Sequence, residues 1–97
     1  MKKKAVVLNP NDNVATVLKD CDSGEILEIE YNDENISISL TDSIPLGHKV
    51  SLREIESGST ISKYGEAIGI ATVSIKPGQH VHVHNVSSNR AHGEITE

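Results

Sequence analysis

Three histidines alternate with other residues near the end of the sequence, at His80, His82 and His84. Side chains two residues apart in a β-strand share one face, so this spacing predicts a strand that carries a row of imidazoles. Neighbouring rings about 6–7 Å apart on such a strand can converge on one cation, and histidine suits zinc, iron or manganese. Alternatively, one imidazole could transfer a proton near neutral pH, or the row could simply be a solvated polar face.

The residues beside this row complete the prediction. Val81, Val83 and Val86 are expected to serve the core, and Asn85 is placed to orient a neighbouring group or to bind a substrate hydroxyl. The predicted strand contains no Asp or Glu. A metal site would therefore need a carboxylate from elsewhere in the fold or from another chain.

Two further motifs combine polar or cationic side chains with turn glycines. In the first, Gly47 marks a turn and puts His48, a candidate acid or base, and Lys49, a candidate carboxylate-binding cation, at the start of a strand. In the second, Lys63 could bind an anion, while the phenol of Tyr64 could serve a site or fill the core. The first motif could also be an exposed turn pair without a function.

The apolar residues recur mostly at every second position, which predicts an all-β fold. Residues 25–31 and 36–40 flank a polar turn and predict a hairpin. Shorter strands are predicted at residues 13–18, 60–62, 67–71 and 73–75.

One helical turn and one internal echo interrupt this pattern. The helical turn is predicted from Leu52 to Ser57, where Gly58 stops it. Residues 53–58 and 73–78 echo each other, since both place an apolar residue shortly before a turn glycine that leads into a short strand. Such units are expected in a small, twisted, folded-over β structure.

Length and composition narrow the class of protein. The 97 residues predict a single domain with a core over about residues 5–86 and a polar tail over 87–97. The net charge of −5 and the presence of only two aromatic residues, both Tyr, argue against nucleic-acid binding. The single cysteine fits a reducing compartment, and the apolar stretch after the N-terminal lysines is too short to enter a membrane. A cytoplasmic protein that does not bind membranes is expected.

Several motifs together resemble one known family. They are Asp12 to Ala15, Ile44 to Val50, Lys63 to Gly65, Ile68-Gly69, and Gly78 followed by His82 to Val86. In this order, over about residues 5–90, they resemble the altronate/galactarate dehydratase family. The closest likeness is to its small subunit or N-terminal module, a SAF-type (antifreeze-like) domain. The resemblance implies a mainly β, β-clip fold, here with one short helical turn.

The same resemblance implies a hydro-lyase that converts a small sugar acid into a 2-keto-3-deoxy acid with Fe2+ or Mn2+. It places His48, Lys49, His82 and His84 as catalytic residues, Lys63, Tyr64 and Asn85 as substrate-binding residues, and His82 and His84 as metal ligands. The family pattern is less strict at His80. The row thus narrows to His82, His84 and Asn85, as one wall of a pocket whose other wall is on another chain.

The resemblance also bears on partners. Residues 89–94 resemble the link that leads into the large catalytic domain, and here the chain stops. A stand-alone small subunit, or an excised domain, is expected to be inactive without a large dehydratase subunit, and it could also form a homo-oligomer. A sister group in the family uses the same module for carbon–sulfur lysis of a sulfonated hydroxy acid. A non-catalytic cap or docking module and an independent metal-binding protein remain as alternatives.

Overall fold

The computed structural model describes residues 4–7, 9–31 and 34–88, in which all regular secondary structure is β-strand. The strands are β1 Ala5–Val6, β2 Val14–Val17, β3 Ile26–Tyr31, β4 Glu34–Ser39, β5 Lys49–Ser51, β6 Thr60–Lys63, β7 Glu66–Ala71, β8 His80–Val81 and β9 Val86–Ser88. The all-β prediction is confirmed. Among the described residues, no helix is long and apolar enough to cross a membrane.

The strands form three antiparallel sheets. A four-stranded sheet has the order β1-β2-β5-β8, a two-stranded sheet is the predicted β3-β4 hairpin, and a three-stranded sheet has the order β6-β7-β9. In the first sheet, Lys49 of β5 lies opposite Thr16 of β2 on one side and Val81 of β8 on the other. Residues from the middle and the end of the sequence are thereby brought to one place.

Three local predictions are wrong. The segment from Leu52 to Ser57 is not helical, because Ile55 exchanges two backbone hydrogen bonds with Ile75 of a distant segment. The same pairing reduces the predicted strand at 73–75 to one bridge. In addition, Ser87 and Ser88 belong to β9 and not to a tail. The rest of the predicted tail, residues 89–97, lies outside the described residues.

The internal echo is confirmed and is more extensive than the sequence indicated. A buried residue precedes a glycine by three positions four times, at Cys21/Gly24, Ile44/Gly47, Ile55/Gly58 and Ile75/Gly78. All four glycines have φ between 87° and 92°, a conformation that side chains disfavour. Cys21 bridges Ile44 and Ile55 bridges Ile75, so each pair closes the base of one hairpin. The domain is thus built from two similar halves.

The core has two apolar clusters, one for each half. The first includes Leu27, Ile29 and Val50, and the second includes Ile61, Ile75 and Val81. The central four-stranded sheet separates them. Val81 lies opposite Lys49, which is adjacent to Val50 in β5, and adjacent residues of a strand point to opposite faces. Val50 and Val81, which belong to different clusters, therefore lie on opposite faces of the sheet. This sheet fixes the positions of β5 and β8, which carry the histidines.

The carboxylate of Glu25 is expected to make the fold sensitive to acid. It accepts the backbone N–H of Asp22 at 2.7 Å and the ammonium of Lys4 at 3.3 Å, and these contacts lower its pKa. A lowered folded-state pKa gives stability that is present above the unfolded pKa and is lost as pH falls through the folded value. Glu25→Gln should therefore flatten the fall in unfolding free energy between about pH 7 and pH 3 in urea titrations. Glu56→Gln, at an exposed position, is the control, and equal slopes for the wild type and Glu25→Gln would contradict this account.

Candidate active site and metal centre

Four imidazoles gather at the edge of the central sheet. His48 directly precedes β5, and the antiparallel register places it across from His82, with ring centroids 3.9 Å apart. The ring of His80 lies 5.1 Å from that of His48 and 5.5 Å from that of His82. His84 completes the group, tilted against His80 at 5.1 Å. The structure thus joins the row of His80, His82 and His84 and the His48 of the Gly47 motif into one cluster.

The chain does not continue as a strand through this cluster, contrary to prediction. β8 ends at Val81, and residues 82–85 form a tight turn. Within it, the side-chain oxygen of Asn85 accepts the His82 N–H at 3.0 Å, and its amide donates to the His80 carbonyl at 2.8 Å. Val83 is therefore at the apex of a turn and is 81% exposed, so its predicted place in the core is wrong.

Asn85 fixes the shape of this turn, because it is only 6% exposed and both ends of its amide are engaged. Its predicted role in substrate binding stays a prediction. We expect Asn85→Ala to lower the unfolding free energy by about 1–3 kcal/mol, since it leaves buried backbone groups without partners. Urea denaturation would measure this loss, with Asn35→Ala at an exposed position of β4 as the control. Equal stability of the two variants would contradict the clamping role.

Asp42 is a member of the site that the sequence reasoning missed. Its carboxylate accepts the backbone N–H of His80 at 3.0 Å, so both the N–H and the C=O of His80 are bonded by side chains at the free edge of the sheet. Asp42 comes from the loop before Ile44, and no motif in the sequence marks it. Asp42 supplies a carboxylate from elsewhere in the fold, as the sequence led us to expect. This carboxylate binds the backbone N–H of His80, however, and is not part of the group of converging ring nitrogens.

Three of the rings are arranged as metal ligands could be. One ring nitrogen from each of His48, His80 and His82 lies within 4.8 Å of the others, the only such group among the described residues. Nδ1 of His48 and Nε2 of His80 are 2.9 Å apart, close to the roughly 3 Å between adjacent nitrogens bound at about 2.1 Å to one ion. The donor set therefore fits a divalent metal. His80, which the family pattern marked least strictly, is central to the group, and metal binding by His84 stays a prediction.

The electrostatics favour the neutral form of His80 and His82, which binds metals or accepts protons. Burial and the neighbouring imidazoles His84, His48 and His82 lower the pKa of His80, against a smaller opposing effect of Asp42. Burial, His48 and the charge of Lys49 likewise lower the pKa of His82. Both rings are therefore favoured as neutral imidazoles at neutral pH.

The two candidate anion-binding lysines lie apart from the imidazoles. Lys49 shares its sheet face with Val81 and Thr16, whereas His48 precedes it and projects to the other face. Burial, and then the charge of Lys63, lower the pKa of Lys49, so the two ammonium groups lie within electrostatic reach of each other. Among the described residues, neither lysine has a carboxylate at ion-pair distance. This face can accept an anion.

Tyr64 lies at the tip of the β6-β7 hairpin and is not a core plug. It is 47% exposed, and the Lys63 ammonium lies 4.7 Å from the centroid of its ring. The structure therefore presents the phenol and the ammonium together to solvent.

Comparison with known proteins places this geometry in a family. Residues 3–89 match the family model described as "Altronate/galactarate dehydratase SAF domain". The chain is 38% identical over 87 residues to altronate dehydratase of Bacillus subtilis, covering 90% of this chain but 17% of that protein. It is 35% identical over 88 residues to (2R)-sulfolactate sulfo-lyase subunit alpha of Chromohalobacter salexigens, covering 88% of this chain and 94% of that subunit.

A second altronate dehydratase, from Escherichia coli, is 38% identical over 78 residues, which are 80% of this chain and 15% of that protein. The chain thus spans about a sixth of the length of the two altronate dehydratases and nearly all of the sulfo-lyase subunit. The family match covers both halves of the fold and every candidate site residue. The resemblance seen in the motifs is confirmed: this chain belongs to the altronate/galactarate dehydratase SAF domain family.

Proposed function

We propose that this chain is the small subunit of a cytoplasmic sugar-acid dehydratase, inactive alone and completed by a separate large catalytic subunit. The observation that carries the proposal is the convergence of His48, His80 and His82 at an exposed sheet edge, in a member of a family whose curated relatives are lyases. The described residues supply imidazoles at this sheet edge, and the Lys49 ammonium on the opposite face of the same sheet. A second chain is needed to enclose a substrate against them.

The reaction removes a proton from the carbon next to the substrate carboxylate and a hydroxyl from the following carbon. The electron pair of the broken C–H bond forms the C=C bond, hydroxide leaves with a proton as water, and the resulting enol tautomerises to the 2-keto-3-deoxy acid. Such an elimination needs a base, an acid and a cation that stabilises the enediolate. Neutral imidazoles suit the first role, and the same rings when protonated suit the second.

The residues of this chain can be assigned by position. His48, His80 and His82 would hold a divalent iron or manganese ion, which as a Lewis acid would stabilise negative charge on the substrate. His84 is exposed beside them and is free to transfer a proton. Lys49 and Lys63 would bind the anionic substrate, with Tyr64 offering its hydroxyl.

A second candidate is the small subunit of a sulfolactate-type carbon–sulfur lyase. The observation that favours it is the match to 94% of a sulfo-lyase subunit alpha, against 17% of an altronate dehydratase. The chemistry is closely related, because a proton again leaves the carbon beside the carboxylate. The leaving group on the following carbon is sulfite in place of hydroxide, and the enol product becomes pyruvate.

One reconstitution experiment separates these functions. The purified chain is mixed with its large partner and a divalent metal, and each chain is also assayed alone. Formation of a 2-keto-3-deoxy acid from altronate or galactarate, only when both chains are present, would support the dehydratase. Sulfite release from sulfolactate would assign the second function instead. If the large subunit is equally active without this chain on every substrate, the chain is a non-catalytic docking module and both proposals fail.

A further inference from the structure

The N-terminal segment from Asn9 to Asn13 concentrates its polar contacts on one distant place, the tip of the β6-β7 hairpin. Asp12 is only 1% exposed. Its two carboxylate oxygens accept the N–H groups of Tyr64 and Gly65, each at 2.9 Å. A buried carboxylate is costly unless it is well hydrogen-bonded, and here it is bonded only to the backbone of this turn.

Asn13 and Asn9 hold the two sides of the same hairpin. The Asn13 side chain donates to the Thr60 carbonyl and accepts the Ser62 N–H, both at 2.9 Å, beside the register shift in β6. A Cβ atom on Gly65 would lie 2.6 Å from the Asn9 amide nitrogen, so the tip is packed closely against this segment. The hairpin tip is thus anchored along its length.

The segment is itself held from behind. The Tyr31 hydroxyl lies 2.9 Å from the carbonyl oxygens of both Pro10 and Asp12, and Arg53 donates to that hydroxyl at 2.7 Å. The anchor is therefore tied to β3 of the β3-β4 hairpin. Movement at the tip would require several hydrogen bonds to break together.

The two-residue turn between Lys63 and Glu66 holds Tyr64 in a backbone conformation that is unfavourable for its side chain. Tyr64 has φ of +56° and is the only described non-glycine residue with positive φ. The left-handed region costs a side chain such as tyrosine about 1–2 kcal/mol. A hairpin could turn more cheaply with Asn or Gly at this position. Backbone strain of this kind is concentrated at functional sites.

We propose that Asp12 and Asn13 are positioning residues that hold Lys63 and Tyr64 as a rigid specificity element for the anionic, hydroxylated substrate. The inference rests on the proposed lyase function and deepens it. The Lys63 ammonium supplies the charge for a carboxylate or sulfonate, and the Tyr64 hydroxyl supplies a hydrogen bond to a substrate oxygen. Asn13 directly precedes β2, and β2 pairs with β5, the strand that begins at Lys49, so this element is joined to the central sheet beside the site.

Two substitutions test the proposal in the assembled enzyme. Asp12→Asn keeps the shape but replaces one acceptor by a donor, and it should raise KM five- to fifty-fold while kcat changes less than threefold. Asp22→Asn makes the same chemical change at an exposed carboxylate and should leave both constants unchanged. Tyr64→Gly should raise the melting temperature of the isolated chain, because the strain is relieved, and still raise KM in the assembly.

Further measurements keep the outcomes separate. Hydrogen exchange of the Gly65 amide should be faster in Asp12→Asn than in the wild type, whether or not the chain turns over substrate. Equilibrium binding of the substrate acid to the assembly should weaken by the same factor as KM. An assembly that binds the acid without turnover would overturn the lyase function and keep the positioning role. If Asp12→Asn and Tyr64→Gly leave acid binding unchanged, or if the wild-type assembly binds no acid, the specificity element is refuted.

Discussion

His82→Ala is expected to reduce kcat of the proposed assembled lyase by about 100-fold or more, because it removes a ligand of the Lewis acid that would stabilise the enediolate by several kcal/mol. The same variant should lose bound metal, because it removes one of the three converging ring nitrogens. His48→Ala and His80→Ala should behave alike. Steady-state rates and metal content of the purified assembly measure both effects.

His84→Ala is the informative comparison within this cluster. Its ring tilts against His80 but is outside the group of three, so we expect a lower rate with the metal retained. Circular dichroism of each isolated variant controls for folding. Unchanged rates for His82→Ala and His84→Ala in the complex would show that the imidazoles have no part in the reaction.

Gly78→Ala is expected to have the largest effect on stability, about 2–5 kcal/mol of lost unfolding free energy. Its φ of +88° costs a side chain about 1–2 kcal/mol. A Cβ atom there would also lie 2.1 Å from the Ser39 carbonyl oxygen, and such overpacking adds typically 1–3 kcal/mol. Because domains of this kind are stable by only about 5–15 kcal/mol, urea denaturation should show a large shift.

Gly58→Ala is the matched control for this prediction. Gly58 occupies the equivalent turn with φ of +90°, but a Cβ atom there meets no atom within 4 Å. Gly58→Ala should lose only about 1–2 kcal/mol of unfolding free energy, from the unfavourable backbone conformation. The difference in unfolding free energy between the two variants then measures the steric contribution at Gly78. If Gly78→Ala is no less stable than Gly58→Ala, the close approach to β4 is not rigid.

Much of the fold could be predicted because its information is local. Residues 25–31 and 36–40 alternate or nearly so on either side of a polar turn, and they form most of the β3-β4 hairpin. The segment from Leu52 to Ser57 could not be predicted in this way. Its structure is set by Ile75, twenty residues away in sequence, and such pairing overrides local helix signals.

Only part of the candidate site could be predicted from the sequence, because the rest depends on contacts between distant residues. Period-two spacing identified His80, His82 and His84, but not that the strand ends at Val81. The buried Asn85 amide imposes that turn, and its two partners are apparent only in three dimensions. The pairing of β5 with β8 adds His48 to the cluster. Because adjacent side chains along a strand point to opposite faces, Lys49 projects from the other face of the sheet. Asp42 follows no motif at all.

The closed edge of β8 has a consequence for how this chain meets other chains. The sheet ends at β8, yet the N–H and C=O of His80 are already bonded to Asp42 and Asn85. An incoming strand would find no free backbone groups there, so the domain is protected at this edge against continuous sheet formation between copies. Another chain that approached the imidazoles would have to recognise side chains such as the exposed Val83, because the backbone groups of His80 are already bonded.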